Sequence, residues 1–165
     1  MLFRSLPKAP GGCFIYWTAH GAPEGNGDGV VADTVMLSPG GLRLVLDNTC
    51  KDKPTILIIS ACFSGQFIPP LQAPNRMILT AARPDRASFG CGIDNVYTFF
   101  DECILSSLSM VQDFAALGPA AQTCVAAREQ REKMTPPSEP QVSIGAAIAP
   151  ILAQGSFAPI PAQLP

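Results

Sequence analysis

The sequence predicts an α/β domain with a mostly parallel sheet flanked by helices. Residues 55–61 are apolar on both faces, which is typical of a central parallel strand covered by helices on each side. Residues 76–81 repeat this pattern further along the chain. From residue 97 the apolar residues recur with the period of a helix, so strands give way to helices as in α/β proteins.

The first third of the chain contains a strand, a loop and a helix. Residues 12–19 are rich in β-branched and aromatic side chains between glycines, which predicts a strand. Residues 21–29 form a glycine-rich loop, and residues 30–37 are a short strand or a hairpin arm. A helix is expected over residues 39–48, with Ser38 as its N-cap and a proline in its first position.

Two helices are expected in the last third. One face of the first helix carries Phe99, Phe100, Cys103, Ile104 and Leu108. The second helix covers residues 110–133 and is interrupted near Gly118 and Pro119, because proline breaks the helical hydrogen-bond pattern. Beyond residue 135 the chain is rich in proline and is expected to lie on the surface. We therefore divide one domain, residues 1–165, into a leader (1–11), a core (12–134) and a Pro-rich C-terminal segment (135–165).

Composition excludes several classes of function. Lys and Arg number 11 against 13 Asp and Glu, for a net charge of −2 and with no basic run, which argues against a nucleic-acid partner. No apolar run approaches the roughly 20 residues that span a bilayer. The N-terminus lacks the apolar stretch and small-residue cleavage site of a secretory signal. The compartment stays open: cytoplasmic as the chain is written, or cell envelope or periplasm if a signal or anchor precedes it.

The cysteines do not predict a metal centre. None of the six is part of a Cys-x-x-Cys pair, and the chain has one histidine, so zinc-type spacing is missing from the sequence and no metal or cofactor is expected. Most of the cysteines are interpreted as small buried hydrophobic residues. Asp28 and Asp33 are assigned to a flexible loop on the substrate side rather than to a cation site.

One cysteine and the histidine each directly follow a predicted strand. His20 follows the first predicted strand, and Cys62 follows residues 55–61. Catalytic groups of parallel sheets collect at the carboxyl ends of strands, and neighbouring strands lie about 4.8 Å apart. The two side chains can therefore share a cleft, with a thiolate as nucleophile and an imidazole that manages its proton. A structural histidine and an inert cysteine fit the spacing as well.

Glycines near both residues suit an oxyanion hole. Gly21 leaves its backbone N–H unobstructed, and the glycine at position 65 allows a sharp turn that presents the N–H of Cys62. These two amides are candidate donors to a developing oxyanion.

Three segments carry a resemblance. Residues 14–21 read Phe-Ile-Tyr-Trp-Thr-Ala-His-Gly, and residues 56–65 read Ile-Leu-Ile-Ile-Ser-Ala-Cys-Phe-Ser-Gly. Residues 77–91 read Met-Ile-Leu-Thr-Ala-Ala-Arg-Pro-Asp-Arg-Ala-Ser-Phe-Gly-Cys. Together they resemble the legumain-like cysteine peptidases of the caspase-hemoglobinase clan, and within them the bacterial members; the Ser-Glu-Pro-Gln of residues 138–141 adds to the likeness.

The resemblance implies a caspase-like three-layer α/β domain and an endopeptidase acting on peptides or proteins. It implies that His20 is the general acid/base and Cys62 the nucleophile of a thioester acyl-enzyme, with the amides of Gly21 and Cys62 as the oxyanion hole. No third residue is needed to orient the histidine in this clan. Two alternatives stay open: a non-catalytic interaction module of the same fold, and a transpeptidase or ligase that passes the acyl group to an amine.

The chain departs from the family in two places. Ser60 stands where legumains have an acidic residue of the pocket for the substrate side chain before the scissile bond (P1), and Asp94 falls where a second pocket acid would align. Both are candidate substrate contacts, and a solvated turn residue beside Asn95 fits Asp94 as well. The clan also has two strands and a helix before the histidine-bearing strand, so the domain is expected to be N-terminally incomplete or a reduced variant of the fold. In either case it is expected to associate through an unpaired strand edge.

Overall fold

The computed structural model describes residues 11–23, 25, 29–32, 35–92 and 95–154. Within them, the strands in chain order are β1 (Cys13–Thr18), β2 (Gly21–Ala22), β3 (Gly29–Ala32), β4 (Val35–Leu37), β5 (Thr55–Ser60), β6 (Arg76–Thr80) and β7 (Gln141–Ile144). The helices are α1 (Pro39–Thr49), α2 (Ile68–Leu71), α3 (Phe99–Met110), α4 (Phe114–Arg131) and α5 (Ala149–Leu152), and a 3₁₀ turn covers Ser64–Phe67.

The main sheet has the strand order β1-β5-β6-β7. The pairs β1–β5 and β5–β6 are parallel, and β7 runs antiparallel to β6. A second, antiparallel sheet joins β2, β3 and β4. This arrangement confirms the predicted α/β class and the mostly parallel sheet.

Apolar residues cover both faces of the main sheet. In β5, Leu57 and Ile59 pack on the side of α1 and α2, and Ile58 packs with α3, α4 and α5 on the other. Each of these side chains is fully buried, which stabilises the fold by roughly 1.5–3 kcal/mol per side chain. The continuous apolar run in the sequence is thus explained by helices on both faces.

The first helix begins as predicted. Ser38 is the N-cap of α1, and its Oγ accepts a hydrogen bond from the Gly41 N–H at 3.1 Å. Pro39 occupies the first turn, where its missing N–H has no intrahelical partner to lose.

The predicted interruption near Gly118 and Pro119 is wrong, because α4 continues through both residues. The break comes earlier: α3 ends at Met110, and Asp113 caps α4 by accepting from the Ala116 N–H at 2.9 Å. Gly118 has a packing role, since a Cβ there would lie 2.8 Å from Val142. The lack of a side chain lets α4 lie close to β7.

Two further features differ from the expectations. Residues 141–144 of the Pro-rich segment form β7 instead of lying on the surface as irregular chain. Four cysteines expected as unpaired buried residues form disulfides, Cys13–Cys50 and Cys103–Cys124. Cys62 and Cys91 are free thiols.

Candidate active site

The ends of β1 and β5 bring the predicted catalytic segments together. Thr18 pairs with Ser60 at the end of the parallel ladder, and the Ala19 N–H donates to the Ser60 carbonyl O at 3.0 Å. His20 and Cys62 each lie two residues beyond this last pair. His20 is exposed and Cys62 is half-buried, so a peptide can reach both residues.

Gly21 lies directly against the backbone of Cys62. A Cβ atom at this position would collide with the Cys62 carbonyl O and would lie 3.2 Å from the Ala61 Cβ. Only glycine allows this approach. The segment after His20 therefore lies in contact with Cys62, the expected nucleophile.

The sulfur of Cys62 contacts Ser88, which lies in the loop after β6. The Ser88 N–H donates to Cys62 Sγ at 3.3 Å, and Ser88 Oγ lies 3.6 Å from the same sulfur. The thiol also lies 3.6 Å from the Ser88 carbonyl O. Ser88 therefore fixes the rotamer of the thiol from both its backbone and its side chain.

The chain turns sharply after Cys62. Phe63 has a left-handed backbone with φ 58°, which costs of order 1–3 kcal/mol in a residue with a side chain. The Phe63 N–H donates to the Arg86 carbonyl O at 2.7 Å, and a Cβ at Gly65 would lie 2.6 Å from Pro84. The turn that presents Cys62 is held by the loop after β6, which also carries Ser88.

A second contact joins this turn to the segment after His20. Gln66 lies in the 3₁₀ turn, and its Nε2 donates to the Ala22 carbonyl O at 2.8 Å. The other side-chain atom, Gln66 Oε1, is buried and has no hydrogen-bond partner among the described residues.

A buried carboxylate lies behind the strand ends. Asp101, 8% exposed in the first turn of α3, accepts hydrogen bonds from Tyr16 Oη at 2.6 Å and from Thr18 Oγ1 at 3.1 Å. Thr98 caps the helix by accepting from the Asp101 N–H at 3.1 Å, and its Oγ1 lies 3.3 Å from Ser60 Oγ. These residues tie the ends of β1 and β5 to one helix terminus.

Burial is the main cause that raises the pKa of Tyr16 well above its ordinary value, and the hydrogen bond to Asp101 and the charge of Asp101 act in the same direction. Burial also raises the pKa of the Cys91 thiol, with smaller contributions from Cys62 and Asp101. The Cys91 thiol is therefore harder to ionise than an ordinary cysteine, although it is exposed.

Of the two predicted substrate contacts, the structure describes Ser60. Ser60 is 2% exposed, and its hydroxyl contacts Thr98 behind the strand ends. Asp94 lies outside the described residues, as do Asp28 and Asp33. In the described part of the chain, no group of three or more His, Cys, Asp and Glu side chains is placed to hold a metal ion.

Sequence reasoning did not assign Gln66, Thr98 or Asp101 to the site. The Thr98-x-x-Asp101 spacing at the start of α3 resembles a capping box, so it predicts a helix start but no contact with β1. Ser88 belongs to the third motif, but the motif by itself predicts no contact with Cys62. For Gln66 the sequence contains no corresponding signal.

Comparison with known structures identifies the fold of this chain. The fold is similar to that of caspase-1 from Spodoptera frugiperda, with a TM-score of 0.57 and 17% identity. That match covers 81% of this chain and 60% of the caspase chain, so this chain spans about three fifths of the length of that structure. The caspase-like fold expected from the sequence is thereby confirmed.

The chain belongs to the peptidase C13 family, whose sequence model matches residues 10–132. This is the legumain family of the caspase-hemoglobinase clan, as the resemblance implied. Family and fold together identify a member of a cysteine peptidase superfamily. No curated protein matches the sequence. Across the described helices, none is long and apolar enough to cross a membrane.

Proposed function

We propose that the chain is a cysteine endopeptidase in which Cys62 is the nucleophile and His20 the general acid/base. The observation that carries the proposal is the parallel register of β1 and β5, which leaves His20 and Cys62 equally far beyond the pair Thr18–Ser60. Both residues are accessible at the carboxyl ends of the strands, where catalytic groups of parallel sheets collect.

The proposed reaction proceeds in two steps. His20 takes the thiol proton, and the sulfur of Cys62 attacks the carbonyl carbon of the scissile peptide bond. The C–N bond then breaks, His20 delivers the proton to the leaving amine, and a thioester remains. In the second step His20 takes a proton from a water molecule, and the oxygen of that water attacks the acyl carbon. The C–S bond then breaks, His20 returns the proton to the sulfur, and the carboxylic acid is released.

We assign the backbone N–H groups of Gly21 and Cys62 to the oxyanion hole. The close approach of Gly21 to the Cys62 backbone supports this assignment, because two amides must converge on one oxygen atom. Asp94 stays a candidate contact of the P1 side chain, and so does Ser60, which would have to be uncovered to contact a substrate because only 2% of its surface is exposed. A carboxylate at Asp94 without a counter-cation would favour a basic or amide P1 side chain over an acidic one.

The test is cleavage of internally quenched peptides that differ only at P1, with Asn, Asp, Arg or Lys in that position. We expect cleavage after at least one of them and none by the Cys62→Ala variant. His20→Ala should lower kcat/KM by about 100- to 10,000-fold. The matched control is Cys91→Ser, which removes the other free thiol and should keep wild-type activity. Activity that survives Cys62→Ala would refute the assignment, and a folded but inactive wild type would favour the non-catalytic module.

A further inference from the structure

Gln66 bridges the two segments that carry the proposed catalytic residues. It comes four residues after Cys62, and its Nε2 reaches the Ala22 carbonyl O at 2.8 Å, across 44 residues of sequence. Ala22 is the residue after Gly21, at the end of the two-residue strand β2. The side chain thus ties the turn after the nucleophile to the strand after the histidine.

Two hydrogen bonds fix the carbonyl groups of the residues on either side of Gly21. On one side, the His20 carbonyl O accepts from the Val31 N–H at 2.9 Å. This carbonyl and the Gly21 N–H belong to one planar trans peptide group, so fixing the oxygen fixes the direction of the N–H. On the other side, the Ala22 carbonyl O accepts from Gln66. Strand β2 has only two residues, and it is also held by its antiparallel pairing with β3, in which Gly21 pairs with Val30 and Ala22 with Gly29.

Stability alone does not explain an amide at position 66. Gln66 Oε1 is buried and finds no hydrogen-bond partner within the described residues, and such an atom destabilises the fold. An apolar side chain of the same length would fill this place without that cost. What it would lack is the hydrogen bond to Ala22.

We propose that Gln66 is a positioning residue for the oxyanion hole, which aligns the Gly21 N–H with that of Cys62 through the Ala22 carbonyl. This inference rests on the proposed function. It assigns Gln66 no contact with the substrate and no proton transfer. Its loss should slow formation of the tetrahedral intermediate while leaving the nucleophilicity of the thiol unchanged.

The test compares two reactions of the same thiol in wild type and Gln66→Met. Peptide cleavage develops an oxyanion, whereas alkylation of Cys62 by iodoacetamide, in a Cys91→Ser background, does not. For Gln66→Met we expect kcat to fall about 10- to 100-fold with KM within about twofold, since one donor is misaligned but not removed. The alkylation rate should stay within about twofold of wild type. Gln72→Met, at an exposed glutamine near the same turn, is the matched control and should change neither rate.

Two further variants test whether a hydrogen-bond donor at position 66 is required. Gln66→Glu has the same size but presents a carboxylate to the Ala22 carbonyl, so it should reproduce the loss of kcat and provides the test if Gln66→Met does not fold. Gln66→Lys retains a donor and should recover part of the loss.

The inference is overturned if the folded Met and Glu variants keep wild-type kcat, or if alkylation slows by the same factor as cleavage. A wild type that alkylates normally but cleaves no peptide would instead overturn the proposed function, and the inference with it. These patterns separate the two failures.

Discussion

The hydrogen bond between Tyr16 and Asp101, next to the candidate active site, should make the free energy of unfolding depend on pH. The pKa of Tyr16 is raised in the folded chain by burial and by Asp101, whereas in the unfolded chain it returns to its ordinary value near 10. The resulting stabilisation is fully present below pH 10 and is lost as the pH rises through the folded-state pKa.

We therefore expect the free energy of unfolding, measured by urea titration between pH 8 and pH 11 with the free thiols blocked, to fall above pH 10. The fall should be smaller in Tyr16→Phe, which cannot lose a phenolic proton. Tyr97→Phe, at an exposed tyrosine, is the control and should keep the wild-type decline. An identical decline in Tyr16→Phe would show that this contact does not carry the effect.

At the level of single residues, the sequence could predict the catalytic candidates at the strand ends but not the residues that support them. His20 and Cys62 could be chosen because residues at the carboxyl ends of parallel strands converge. The contacts of Asp101 with Tyr16 and Thr18 span 85 and 83 residues of sequence, so no local pattern reveals them. The same holds for Gln66 and Ala22.

Among the elements, α3 and α4 are joined by the disulfide Cys103–Cys124. Its Cα atoms are 5.6 Å apart, and it closes a loop over a sequence separation of 21 residues. The chain-entropy model gives a stabilisation of about 3 kcal/mol for a loop of this length. We expect the Cys103→Ala/Cys124→Ala double variant to lose about that free energy of unfolding in urea titration.

A reducing agent should lower the stability of wild type and, through Cys13–Cys50, that of the double variant by a smaller amount. If the double variant and wild type unfold at the same urea concentration, the helices are not held by this bond.

The periodicity of apolar residues could predict β1, β5, β6 and α1, because each has a local signature of burial or capping. It could not predict β7, whose pairing with β6 joins residues far apart in sequence, such as Met77 and Ile144. Nor could it predict disulfide pairing, since cysteine spacing does not fix which sulfurs meet.

At the scale of the whole molecule, β1 lies at the edge of the main sheet, and within the described residues it pairs with β5 alone. Phe14 on this strand is 49% exposed. The unpaired backbone groups of an apolar edge strand can form hydrogen bonds with a strand of another chain. We expect concentration-dependent association in size-exclusion chromatography with light scattering, and at least about tenfold weaker association for Phe14→Lys.

Leu44→Lys is the matched control, since Leu44 is also exposed and apolar but lies on α1. It should associate as wild type does. Association that persists unchanged in Phe14→Lys would mean that another surface joins the chains.

The central claim, that Cys62 is a nucleophile activated by His20, is tested most directly by mapping a covalent adduct. The folded chain is treated with peptidyl electrophiles bearing Asn, Asp or Arg at P1, and the modified cysteine is located by mass spectrometry. We expect an adduct on Cys62 and none on Cys91, formed about 100-fold or more slowly in His20→Ala. Equal labelling of Cys62 and Cys91, or labelling of Cys62 at the same rate in His20→Ala, would contradict this claim.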